Sequence, residues 1–209
     1  MTGPTTVHVF FEGQKEGDAF DNDGDGFDEV DTEMVALSLT GMSSMGEVLV
    51  RLNPNIPTVG GITERTNNTP GTLDIPPFTE TGLANSFFDV FFEIVLPDGT
   101  VLHNRESKHL SSVIRHKPPA EGDQYEGLVR IPLYLDNGEP SGFVLGAARH
   151  IPRPVVEIDQ FETTSAVIEL MGPDGGTEIV NVTGPTTVHV FFEGQKEGDA
   201  FDNDGDGFD

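Results

Sequence analysis

The sequence predicts an all-β protein, an antiparallel β-sandwich with enlarged loops and few or no helices, and three observations predict it. Short runs of β-branched and aromatic residues recur along the chain, turn-forming Pro, Gly, Asp and Asn separate them, and no segment sustains a capped 3.6-residue hydrophobic period. The 25 Gly and 15 Pro also disfavour a helical body, since each costs a helix interior roughly 1 to 3 kcal/mol.

The strand-like runs are residues 5–11, 34–39, 47–52, 87–96, 128–135, 142–145, 166–171 and 177–182. Turn signals lie between them: Pro97-Asp98-Gly99, Asp136-Asn137-Gly138, which suits a tight hairpin, and Pro173-Asp174-Gly175-Gly176. Phe87, Phe88, Phe91 and Phe92 put aromatic bulk on both faces of one run, which predicts a central or doubly covered strand. Residues 107–115 are the one stretch that fits a short helix. The pattern resembles an immunoglobulin-like module of roughly eight or nine strands, although it lacks the Cys and Trp marks of true immunoglobulin domains.

Residues 2–28, TGPTTVHVFFEGQKEGDAFDNDGDGFD, return unchanged as residues 183–209, an offset of 181 positions (183 minus 2). A unit of that size is large enough for its own core, whereas solenoid repeats run about 20 to 50 residues. The expected organisation is therefore one β-sandwich repeat over residues 1–182, with the next repeat opening at 183–209. Met1 takes the place that Val182 holds in the repeat frame. The repeated strand raises two alternatives: it starts the next domain of a covalent array, or it pairs with a neighbouring subunit by strand exchange.

Eleven Lys and Arg against 36 Asp and Glu leave a net charge of −25, which argues against nucleic-acid binding and makes polyvalent cations the natural partners. The same excess suits a salt-rich habitat. With no Cys, thiolate chemistry and cysteine zinc sites are excluded. No apolar run approaches the ~18 residues of a membrane span.

Residues 21–29, DNDGDGFDE, contain D-x-D-x-D-G, the spacing with which a calcium loop presents carboxylates at positions 1, 3 and 5 around a sharp glycine turn. Close carboxylates repel unless a cation neutralises them, and hard oxygens at variable distance suit Ca2+ better than Mg2+. The candidate ligands are Asp21, Asp23, Asp25, the Phe27 carbonyl, Asp28, Asp31 and Glu33, with Asp202, Asp204, Asp206 and Phe208 in the second copy. The pattern departs from an EF-hand because position 12 is Thr32, and because a strand follows instead of a helix. The other reading is a solvated acidic linker. The loop resembles the calcium loops of dockerins and thrombospondin type 3 repeats, a resemblance that implies metal binding and not a fold. Calcium rigidifies tandem domains in adhesins and cadherins, and an ion here would likewise stiffen neighbouring units. The stretch 28–41, DEVDTEMVALSLTG, is similar to segments of large secreted bacterial repeat proteins, which implies an extracellular or cell-surface location.

Weaker signals have plainer explanations. His103, His109 and His116 are more simply surface or core histidines than zinc ligands. Glu157, Asp159 and Glu162 read as a solvated strand face as readily as a carboxylate pair for glycoside hydrolysis. Ser107 and His109 lack a third group and an oxyanion site. Asn67 and Asn181 stand in N-x-[ST] sequons, so glycans are candidate partners.

The expected function is therefore structural: a calcium-stiffened subunit of an extracellular filament, stalk or adhesin whose partners are other copies of itself. The alternative is a calcium-dependent carbohydrate- or surface-binding module working through loops 58–77 or 103–119, with Phe78 and Tyr125 the aromatics nearby. An enzyme comes third, since no residue set stands out as catalytic.

Overall fold

The computed structural model describes residues 1–120, 122–153, 156–171 and 177–191. The chain divides into two compact units, Met1–Pro152 and Arg153–Asp209, so the first unit closes upstream of the repeat that starts at Thr183.

The first unit is all-β. Its strands are β1 (Thr5–Phe10), β2 (Glu29–Ser43), β3 (Gly46–Leu52), β4 (Thr58–Glu64), β5 (Ala84–Val90), β6 (Phe92–Val95), β7 (Val101–His103), β8 (Lys108–Ile114), β9 (Tyr125–Gly127), β10 (Ile131–Leu135), β11 (Pro140–Leu145) and β12 (Ala148–His150). They form one twelve-stranded antiparallel sheet in the order β11-β10-β7-β6-β3-β2-β4-β5-β8-β9-β12, with β1 added alongside β2. No helix occurs among the described residues. Hence none is long and apolar enough to cross a membrane.

β2 is long because it serves two arms of this sheet. Its first half, Glu29 to Met34, pairs β4 in one arm, and its second half, Ser38 to Ser43, pairs β3 in the other. The chain passes between arms again where β5 runs into β6 with only Phe91 between them. That crossing interrupts the ladders, and side chains supply the missing partners. Thr58 Oγ1 accepts from Phe91 N at 3.0 Å. Fully buried Asn104 accepts from Phe92 N and donates to Val90 O, both at 2.8 Å.

Inward residues of both arms meet in one core: Val30, Met34, Ile62, Phe88, Leu110, Ile114 and Tyr125 from one, Phe92, Leu102, Ile131 and Leu133 from the other. Val7 and Val9 of β1 pack against its margin. Gly60 has no room for a side chain against β5, since a Cβ there would stand 2.1 Å from Phe87 O. Burial of this apolar surface, at about 25 cal/mol per Å², is what the alternating strands were patterned to achieve.

Several expectations change in detail. The run 87–96 divides into β5 and β6. β5 is internal, between β4 and β8, but it is covered on one face only, with Phe88 buried and Phe87 36% exposed. The short helix expected at 107–115 is strand β8, and it is a strand because Ala84 to Val90 supplies a full antiparallel partner to residues 108–114. Both predicted turns in this unit form: Gly99 N donates to Leu96 O at 2.9 Å and Gly138 N to Leu135 O at 2.7 Å.

Among its described residues the second unit contains the strand pair β13 (Val156–Met171) and β14 (Thr177–Phe191), antiparallel from Met171↔Thr177 to Val156↔Phe191. The turn at 173–176 lies outside the described residues.

Candidate metal centre

The acidic loop joins β1 to β2 and is closed at its base by the bond from Glu29 N to Phe20 O, 3.1 Å. Gly24 (φ 80°) and Gly26 (φ 94°) are both left-handed, a conformation that costs an L-residue roughly 1 to 2 kcal/mol. They fold the loop back over Asp21, whose two carboxylate oxygens accept from Gly24 N (2.8 Å) and Gly26 N (3.0 Å). Asp23 accepts from Asp25 N at 3.0 Å, and Asp25 from Phe27 N at 2.9 Å. With the side chains so oriented, one carboxylate oxygen from each of Asp21, Asp23, Asp25 and Glu29 comes within 4.8 Å of the others.

Glu29 is the least exposed of the four. Its Oε1 accepts from Asn22 N at 2.8 Å, while its Oε2 is buried without a hydrogen-bond partner. Burial raises its carboxyl above the ordinary glutamate value, the charges of Asp23 and Asp21 add to that rise, and the backbone N–H groups of Asn22 and Asp23 oppose it. A buried, unpartnered carboxylate oxygen is costly, and a cation coordinated at the cluster removes both that cost and the mutual repulsion. Four carboxylates so grouped could hold a metal ion, and oxygen donors without nitrogen or sulfur suit a hard one.

Counted from Asp21, the acids stand at loop positions 1, 3, 5 and 9. The fourth, Glu29, was not among the sequence-derived ligands. The signal was present, because position 9 is a calcium-loop ligand position, often through water. Thr32 at position 12 is buried on the inward face of β2.

Of the other acidic candidates among the described residues, none joins this group. Phe27, at position 7, is 36% exposed and is held through its N–H by Asp25. Asp31 is exposed on β2 between Phe10 and Gly61, and Glu33 is half-buried between His8 and Val59. Asp202, Asp204, Asp206 and Phe208 lie outside the described residues.

Asp28 is buried and belongs to a different assembly beneath the loop. Its Oδ2 accepts from Gly71 N at 2.7 Å, and its own N–H donates to Glu64 Oε1 at 3.0 Å. Glu64, 1% exposed, also accepts from Asp74 N at 2.7 Å, and Asp74 Oδ2 accepts from Asn68 N and Thr69 N. Burial raises the Glu64 carboxyl, opposed by the Asp28 and Asp74 backbone N–H groups and reinforced by the Asp28 and Asp74 charges. These three carboxylates fasten segment 64–74 under the metal loop. Ala19 N to Gly71 O (3.4 Å) and Leu73 N to Gly17 O (2.8 Å) add backbone ties. Asn67 Nδ2 reaches Gly26 O at 3.3 Å.

Nitrogen and nucleophile candidates are not brought together. Among the described residues no His joins a metal-sized group. Asp89 Oδ1 lies between Ser107 Oγ and His109 Nδ1, 3.1 Å from each, whereas a nucleophile relay needs the His between Ser and Asp. The side chains of Glu157, Asp159 and Glu162 lie outside the described set. Asn67 Nδ2, the atom a glycan takes, is engaged with Gly26, while Asn181 is exposed on β14. Phe78 is half-buried against Phe11 and the core, and Tyr125 is buried with its hydroxyl on Ser86 at 2.8 Å.

No protein-family profile and no curated protein matches the chain. Among solved structures, DynF from the dynemicin biosynthesis pathway of Micromonospora chersina is similar at 28% identity, over 58% of this chain and 57% of that one, with a TM-score of 0.46. The resemblance is distant, and the chain spans a little over half of that protein's length.

Proposed function

We propose that the chain is a structural subunit of an extracellular filament, stalk or adhesin, assembled from tandem or strand-exchanged β-sandwich repeats of immunoglobulin-like type and stiffened by Ca2+ at the loop that follows each repeated strand. One observation carries this reading. The acids at loop positions 1, 3, 5 and 9 converge directly after β1, the strand that recurs in the second copy, and leave a buried Glu29 oxygen for a cation. Ca2+ is favoured over Mg2+ because the ligands sit on a glycine-rich loop of variable geometry, which suits the larger ion.

Electron microscopy of the assembled protein, in calcium and again after excess chelator, tests the reading. Regular filaments with an axial repeat of one unit, loosening when calcium is stripped, are expected. Dispersed monomers in both conditions would count against it.

A second reading, a calcium-dependent carbohydrate- or surface-binding module, is favoured by Phe10 and Phe20, 48% exposed, and Phe27, 36% exposed, near the acidic loop. Aromatic faces beside a cation suit sugar stacking. Binding on a glycan array that requires calcium and is lost in Phe27→Ala would move the weight to it.

A further inference from the structure

The repeated strand occurs twice with the same six residues and is held by two different partners. In the first copy Thr5–Phe10 pairs β2, with His8 opposite Glu33, Val9 opposite Thr32 and Phe10 opposite Asp31. In the second copy residues 186–191 pair the start of β13, with Val188 opposite Asp159, His189 opposite Ile158, Val190 opposite Glu157 and Phe191 opposite Val156. Among the described residues β1 has no strand on its other side. The same strand sequence thus pairs β2 in one copy and β13 in the other, and in the first copy one of its edges carries no strand among the described residues.

The side that remains open can be identified. Glu29 N donates to Phe20 O while Asp28 O accepts from Glu64 N, so Asp28 directs its main-chain oxygen to β4 and Glu29 its N–H away from it. By strand alternation Asp31 and Glu33 direct theirs to β1, and they exchange bonds with Phe10 and His8. The N–H and C=O groups of Val7 and Val9 therefore face outward from β1, along an edge able to template a further strand. The environments of the two copies also differ: Val7 packs against the core margin, and its counterpart Val188 is 41% exposed.

Resting on the reading of the chain as a joined repeat, we propose that residues 156–161 of a neighbouring copy occupy the outer edge of β1. The register is the one seen in the second copy: Val156 against Phe10, Glu157 against Val9, Ile158 against His8 and Asp159 against Val7. β1 then lies between β2 of its own unit and β13 of its neighbour, and the joint is a continuous main-chain ladder leading directly into the metal loop. The competing strands are identical in sequence, so an intramolecular and an intermolecular partner compete for residues 156–161. Local concentration decides between them.

The test uses the full chain carrying Val188→Pro and Val190→Pro, which removes two main-chain donors from the second copy and lies outside the first unit. Residues 156–161, released from their own chain, then take β1 of another molecule. Sedimentation velocity should shift from monomer to a concentration-dependent series of dimers and longer species, and a peptide of residues 183–192 should return it to monomer. Adding Val7→Pro and Val9→Pro should abolish the series while sparing the β1–β2 ladder, since those N–H groups face outward. With no native Cys, Val9→Cys with Glu157→Cys in the associating variant should cross-link neighbours on oxidation, and Val9→Cys with Gln160→Cys should not.

A second measurement leaves the chain unmodified. A peptide spanning Val156–Met171 should slow hydrogen exchange at the Val7 and Val9 amides and leave His8 and Phe10 unchanged. A monomeric proline variant, together with Val7 and Val9 amides unaffected by the peptide, overturns the assignment. Both measurements are made in calcium and in chelator: association indifferent to calcium counts against metal stiffening alone, and monomers that still bind calcium overturn the strand assignment alone.

Discussion

Asp25 and Asp28 belong to the same loop, yet the carboxylates around them use their oxygens in opposite ways. Asp21, Asp23, Asp25 and Glu29 converge at the surface within 4.8 Å, with one buried Glu29 oxygen unpartnered. Asp28, Glu64 and Asp74 are buried, and each accepts from backbone N–H groups, Asp28 and Glu64 from segments distant in the chain and Asp74 from Asn68 and Thr69. Negative charge alone therefore does not make a metal site. The buried set is satisfied by protein dipoles and acts as a clamp, whereas the exposed set brings carboxylate oxygens together where they could hold a cation.

The sharpest way to break this contrast is Glu64→Ala, which leaves Asp28 N and Asp74 N without acceptors. The expected loss is about 3 kcal/mol, at roughly 1 to 3 kcal/mol per stranded buried donor. It should be the same with and without calcium in urea unfolding followed by tyrosine fluorescence. Both tyrosines, Tyr125 and Tyr134, lie in the first unit and the chain has no Trp, so this signal reports that unit alone.

Asp23→Ala with Asp25→Ala should do the reverse: little change without calcium, and loss of the stabilisation calcium confers, about 2.7 kcal/mol at a hundredfold excess over Kd. Gly26→Ala should be milder. Its φ of 94° penalises a side chain by roughly 1 to 2 kcal/mol, so calcium titration should show affinity weakened about tenfold.

Acidity should separate the two groups by sign. Glu64 has its folded pKa raised above 4.5 by burial, so the native state holds that proton more tightly than the unfolded chain. Its contribution to stability is full below the unfolded value and is lost as pH rises through the folded one. Glu29 is raised too, by burial and by Asp23 and Asp21, but calcium binds the carboxylate form. Calcium affinity should therefore fall as pH drops, beginning above the ordinary glutamate range. Parallel pH titrations of urea stability and calcium affinity would show the two trends.

The half of this contrast that was legible in the sequence is the local half. D-x-D-x-D-G places three ligands within five residues, and turn chemistry orients them through bonds spanning two to five residues. Glu29 was missed because its role depends on where β2 begins, which Phe20 and Asn22 determine. Asp28 looked like a further ligand because nothing in the sequence announces Gly71 or Glu64, 43 and 36 residues away. The strands divide likewise. Alternating runs such as 47–52 were readable, but β8 was not. Leu110, Val113 and Ile114 fall at helical spacing, and the inward position at its start is a buried lysine whose Nζ donates to Val129 O and to Gly146 O at 2.8 Å.

The most direct test is the thermal midpoint of the first unit, followed by tyrosine fluorescence, in chelator and in a hundredfold excess of calcium over Kd. For the parent chain it should rise by the few degrees that about 2.7 kcal/mol produces in a domain of this size, and the rise should vanish in Asp23→Ala with Asp25→Ala. A parent midpoint indifferent to calcium, or an equal rise in the variant, would contradict a metal-binding role for Asp21, Asp23, Asp25 and Glu29.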